Sequence, residues 1–225
     1  MDERRDMLRG RGDNPGMTHS FTGTTLVMAA AALALRVNVS TQGRPHIDLP
    51  KGAPVTVDGE IAPHEWDDAA VVRIDVGAEQ TVPVFYKHDG VHLLFAFDLT
   101  KIQPVASLVP ELLIDAGNKG GAAWQKGQWW LHASANDCEG DGEFNLYRRD
   151  GVFLCAPEKA GWRANNFPVK HGAVEIEIDF AKVGVAAGTR FGFAIDVTDT
   201  QKTWKFWPAT ARLEAPGTWG TAAIR

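Results

Sequence analysis

Cysteine is scarce in this 225-residue chain, which has only Cys138 and Cys155. That excludes a disulfide-dense small scaffold, and the lack of a C-x-x-C pair or neighbouring histidine pairs excludes a zinc site. Methionine is confined to Met1, Met7, Met17 and Met28, so a methionine-ligated haem has no ligand in the body of the chain. No haem is expected; only a bis-histidine or histidine–lysine version on His88, His92 or His132 stays open. Positive charge is not in excess either. The net charge is −5, and from His46 onward 17 Lys+Arg face 24 Asp+Glu with no basic stripe, which excludes nucleic acid as a partner. No G-x-S-x-G, P-loop or histidine-rich metal motif is found. The apolar run Leu26–Leu35 is too short for a bilayer span of about 20 residues but fits a signal-peptide core, with Ala32-Leu33-Ala34 as a small-x-small cleavage site. Residues 1–45 are therefore read as a leader, residues 46–225 as one domain, and the protein as secreted or periplasmic; a short N-terminal helix or a later start at Met17 is the alternative.

What the chain does have is tryptophan, eight against two tyrosines, all between Trp66 and Trp219. It also has period-2 alternation with almost no sustained 3.6-residue pattern. Val91, Leu93, Phe95 and Phe97 fall on one face of the run Val91–Asp98. Val174, Ile176, Ile178 and Phe180 oppose Glu175, Glu177 and Asp179. Phe191, Phe193, Ile195 and Val197 oppose Asp196 and Thr198. Each row suits a half-buried strand. Further strands are expected at Val55–Val57, Val71–Val76, Val82–Lys87, Leu112–Asp115, Gln128–Ala135, Phe144–Arg148 and Thr203–Trp207, with hairpin turns at Asp89-Gly90 and Asp150-Gly151. The fold class is all-β: a single two-sheet antiparallel β-sandwich, jelly-roll-like, expected to be a monomer.

Several ordered motifs over residues 53–225 point further. Val57-Asp58-Gly59-Glu60 precedes Glu65-Trp66-Asp67-Asp68-Ala69, and Leu93–Asp98 ends a strand on an acid. Glu111-Leu112-Leu113-Ile114-Asp115 brackets an apolar triplet with acids. Glu175–Phe180 leads to Val183-Gly184, followed by Gly192–Asp199, Trp207 and Trp219-Gly220. This order resembles the family 9 carbohydrate-binding modules and the wider DOMON-like β-sandwiches. The resemblance implies a non-catalytic carbohydrate-binding domain, with Asp98 and Glu111 at positions that hydrogen-bond sugar hydroxyls, and with Trp66 and Trp219 as packing residues. It also implies two tryptophans clamping a terminal sugar, yet residues 99–110 and 208–218 contain none.

A relocated aromatic platform would restore such a site, since sugars need flat aromatic faces beside carboxylates or amides. In Gln128–Ala133 the alternation puts Trp129 with Leu131 on a core face and Trp130 with Gln128 and His132 on the other, making Trp130 and His132 ligand candidates. Trp124, in a Gly-rich loop, is expected to be exposed. Trp204 and Trp207 lie on opposite faces of one strand, so one of them, Trp204 being the candidate, is free for ligand. Cofactors are not expected apart from calcium, for which Asp137, Glu139 and Asp141 alternate as in a calcium loop; Arg148 stands where the bidentate acid of an EF-hand should be, and a solvated acidic turn is the other reading. Cys138 and Cys155 flank a predicted hairpin and would form a disulfide in an exported protein, or two buried thiols in a cytosolic one. Carbohydrate is thus the expected partner, with a separate glycan-degrading enzyme served by it. Two other classes stay open: a structural or protein-interaction sandwich that has lost its sugar site, and a small glycoside hydrolase using Glu175 and Glu177.

Overall fold

Alternating side chains become paired strands throughout the computed structural model, which describes residues 43–102, 108–132, 141–143, 148–149, 152–153, 162–164, 172–199 and 203–225. In chain order the strands are β1 (His46–Leu49), β2 (Ala70–Gly77), β3 (Gln80–His88), β4 (His92–Asp98), β5 (Leu108–Asp115), β6 (Gln128–His132), β7 (Asp141–Glu143), β8 (Arg148–Arg149), β9 (Val152–Phe153), β10 (Trp162–Ala164), β11 (Ala173–Asp179), β12 (Arg190–Asp199), β13 (Trp204–Trp207) and β14 (Gly220–Ile224), with one turn of helix, α1 (Phe180–Val183), after β11. All belong to one unit, Gln42–Arg225.

The strands form a large sheet ordered β1-β14-β12-β5-β6-β7 and a small sheet ordered β10-β11-β4-β3-β2. The large sheet has a fork. One edge of the long strand β12 pairs along its length with β5, while its other edge pairs with β14 over Arg190–Phe193 and then with β13 over Ile195–Thr198. Pairing is antiparallel as expected of the sandwich, with β1 alone among the described strands running parallel to its neighbour, β14. Arg44 anchors the chain ahead of β1 by donating to the carbonyls of Trp219 and Gly220 and to Asn118 Oδ1.

The core lies between the sheets. Phe95 and Phe97 of β4 and Val174, Ile176 and Ile178 of β11 meet Leu112 and Ile114 of β5 and Phe191, Phe193, Ile195 and Val197 of β12, all fully buried. Phe95 stacks on Phe193 with ring centroids 5.5 Å apart. Asp89-Gly90 makes the expected tight connection between β3 and β4. Gly90 has φ 104°, where a side chain is disfavoured, and Asp89 Oδ1 accepts the amides of Val91 and His92. β8 and β9 pair antiparallel, with Arg149 opposite Val152; the turn expected at Asp150-Gly151 lies outside the described residues.

The outer face of the small sheet is covered. Val55–Val57, expected as a strand, is instead part of a looped segment that lays Val55 and Trp66 over Leu94 and Ala96. Glu175 pins it: its carboxylate accepts Asp58 N at 3.0 Å, Gly59 N at 2.9 Å and Trp66 Nε1 at 3.1 Å. Glu175, expected on a solvated face, is therefore buried, and burial raises its pKa against the pull of those three donors. Buried Lys87 fastens the same segment by donating to Glu65 O and Asp68 Oδ1, both at 2.6 Å, with its ammonium 5.1 Å from the Trp66 ring centroid.

Candidate functional site

The outer face of the large sheet carries the chemistry. On β5, Leu112 and Ile114 enter the core, so the alternation turns Glu111, Leu113 and Asp115 outward; on β12 it turns Ala194, Asp196 and Thr198 outward. Antiparallel register then sets Glu111 opposite Asp196 and Leu113 opposite Ala194. The row extends to β6, where His132 pairs with Glu111 and Trp130 with Leu113, and to β13, where Phe206 pairs with Asp196 and Trp204 with Thr198. Four strands at about 4.8 Å spacing thus place a carboxylate pair between aromatic residues on either side.

That pair is buried. Thr198 Oγ1 donates to Asp196 Oδ2 at 2.7 Å and lies 3.4 Å from Glu111 Oε2, and the Lys205 amide donates to Asp196 Oδ1 at 3.1 Å. Burial raises the Glu111 pKa well above the ordinary carboxylate range, and the Asp196 charge pushes it further; the Trp130 and Thr198 side chains pull the other way. Burial likewise pushes Asp196 up to about 6, although its bonds to Glu111, Thr198 and Lys205 favour the anion. One proton shared between two facing carboxylates, held on Glu111 and donated to Asp196, is the arrangement these directions describe. The single proton is spent within the pair, and the remaining oxygen lone pairs are hydrogen-bond acceptors.

The neighbouring aromatics divide into buried and partly exposed. Trp124 corrects the sequence expectation: it is buried between Trp130, 6.3 Å away and stacked, and Trp219, 5.0 Å away and edge-on. The reason is the closure of its loop. Gly217 N donates to Gly121 O at 2.7 Å, and a Cβ on Gly217 would stand 2.9 Å from that same oxygen, so two glycines let the backbones touch and drive Trp124 inward. Asp115 Oδ2 and the Gln128 side chain bind the same loop through Gly120 and Gln125. Trp219 is fully buried and Trp66 nearly so. Trp129 packs on the core, with Lys182 Nζ 5.6 Å from its ring centroid, and Trp207 packs on the core from β13. Trp130 stays half-buried, and Trp204, at 39% exposure, is the most open of the described tryptophan side chains.

Of the residues singled out from the sequence, Glu111, Trp130, His132 and Trp204 fall on neighbouring positions of one sheet. Asp98 does not join them; it ends β4 of the other sheet, paired with Ala173, and accepts the amide and hydroxyl of Thr100 in a local turn. Asp141 opens β7 opposite Leu131. The remaining calcium candidates, Asp137 and Glu139, and both cysteines of the expected disulfide, Cys138 and Cys155, lie outside the described residues. Among the described residues no three His, Cys, Asp or Glu side chains group as a metal site. Asp196 and Thr198 were not singled out as site residues. Their alternation put them on the outer face, but only the β5–β12 register brings them to Glu111.

No protein-family model and no curated protein matches the sequence. Solved structures do match in fold. A family 9 carbohydrate-binding module from Caldicellulosiruptor kristjanssonii, determined in complex with glucose, superimposes with a TM-score of 0.54 at 14% identity, covering 80% of this chain and 95% of that one. A structure of a family 9 module from the same organism in complex with cellotriose gives 0.55 at 14% identity, with 80% and 93% covered. The chain has the β-sandwich fold of the family 9 carbohydrate-binding modules.

Proposed function

We propose that this protein is a non-catalytic carbohydrate-binding domain whose ligand lies over Glu111, Asp196 and Thr198, between Trp130 and Trp204. The observation that carries the reading is the carboxylate pair set in a sheet face flanked by a half-buried and an exposed indole, in a fold shared with modules solved in complex with glucose and cellotriose. Sugar rings present C–H faces to indoles and hydroxyls to carboxylates, and this face supplies both. The glycosidase alternative loses support. Glycosidic cleavage needs two carboxyl groups about 5 to 9 Å apart. Glu175 is occupied by three donors of its own chain, while Glu111 and Asp196 bond directly to each other, leaving no room for a scissile bond. Export behind the Leu26–Leu35 run and service to a separate glycan-degrading enzyme belong to the same proposal. The test is titration of the full chain with glucose, cellotriose and xylo-oligosaccharides, followed by intrinsic tryptophan fluorescence. Saturable change that is lost in Glu111→Gln and Trp204→Ala supports the reading; a flat response across the panel refutes it and favours a sandwich that binds protein.

A further inference from the structure

Beside the carboxylate row, an open groove of about 1140 Å³ runs along the outer side of β13. Its floor includes Trp204 and Phe206, which stand opposite Thr198 and Asp196 in the β12–β13 register, so the groove adjoins the buried carboxylate row across one strand pair. One wall is the solvent-facing edge of β2 with Arg73 and Asp75; the other is the loop after β13 with Arg212 and Glu214, all four exposed. Each wall thus presents one guanidinium and one carboxylate.

Two features define the occupant. Counting Lys205, the lining holds three cationic and two anionic side chains, close to neutral, so neither a polyanion nor a polycation is favoured, whereas a neutral polyol can bond to both kinds of group. The volume also exceeds the roughly 300 to 1,000 Å³ of an ordinary small-ligand pocket, and the exposed walls leave the groove open along its length. We infer that the groove takes an internal stretch of a neutral, extended glycan chain, crossing from Trp204 between the Arg73 and Arg212 walls, rather than enclosing one terminal sugar. This rests on the carbohydrate reading above and gives that site its substrate class.

Calorimetry on the full chain tests it with cello- and xylo-oligosaccharides of two and six units, the six-unit chains after reduction of their free end to an alditol, and polygalacturonate. Six-unit chains are expected to bind at least about tenfold tighter than two-unit ones. Reducing the end should leave Kd within about twofold, since the end is not gripped. Arg73→Ala combined with Arg212→Ala, both surface changes, should weaken the six-unit chain while sparing binding of glucose. Equal affinity at both lengths, loss of binding on end reduction, or preference for polygalacturonate overturns the inference but leaves sugar binding standing. Failure of every sugar to bind removes both.

Discussion

Replacing Asp196 with asparagine should make the protein less sensitive to alkaline conditions. Asp196 sits with Glu111 in a buried pair, and its pKa rises from 3.8 to about 6, burial being the main cause. A carboxyl whose folded pKa is raised contributes its full stability below the unfolded value. That contribution falls away as pH climbs through the folded value. Between pH 4 and pH 7 the wild type therefore gives up about 2 kcal/mol through Asp196 alone, and ionisation of Glu111 at still higher pH adds to the loss. The asparagine side chain of the variant has no proton to lose. With its amide oxygen in the place of Oδ1 it still accepts the Lys205 amide, and its NH2, in the place of Oδ2, donates to Thr198 Oγ1, whose hydroxyl turns to Glu111, so the cluster stays bonded. Urea unfolding at pH 4, 5, 6, 7 and 8 reads the difference. With a slope of about 1 to 3 kcal/mol/M, the wild-type midpoint should drop by roughly 0.7 to 2 M more than the variant's over this range. Glu175, whose pKa is raised, and Asp48, Asp68 and Asp89, whose pKa values are lowered, contribute equally to both proteins and cancel in the comparison. Parallel stability curves for the two proteins would show that Asp196 is not titrating as a buried member of a pair.

Other substitutions separate packing from binding. Glu175→Ala strands two amides and an indole N–H under the Val55–Ala69 segment and should cost about 3 kcal/mol in chemical unfolding, with sugar titrations unchanged; a loss below about 1 kcal/mol contradicts the buried assignment. Trp124→Ala opens a cavity between Trp130 and Trp219 and should cost about 3 to 5 kcal/mol, whereas Trp204→Ala should alter stability by less than about 1 kcal/mol while abolishing ligand quenching. Phe193→Ala removes a ring stacked on Phe95 in the centre of the sandwich, and a thermal midpoint unchanged from wild type would be incompatible with that position.

The strands that alternate cleanly were legible. β4, β11 and β12 follow the rows read from the sequence, because burial of one face imposes a period of two. β1 and β14 were not, since His46–Leu49 is short and Gly220–Ile224 is built of small residues; backbone pairing with each other and with β12 defines them. At the site, alternation alone separated Trp130 from Trp129 and Trp204 from Trp207. It did not reveal the Glu111–Asp196 pair, which depends on how β5 and β12 align across a long stretch of intervening chain. Trp124 and Glu175 were misread for one shared reason: a loop in one case and a looped segment in the other fold back over an outer sheet face, and no local period encodes that cover. Asp98 was grouped with Glu111 by motif order, and the two belong to different sheets.

The most direct measurement is the response of the indole N–H resonances of all eight tryptophans when cello- or xylo-oligosaccharide is added to the ¹⁵N-labelled full chain. The resonances of Trp130 and Trp204 should shift in a saturable, dose-dependent way, while those of Trp66 and Trp219 stay in place. Resonances that are all unmoved, or movement confined to Trp66 on the small sheet, would contradict a carbohydrate site on the outer face of the large sheet.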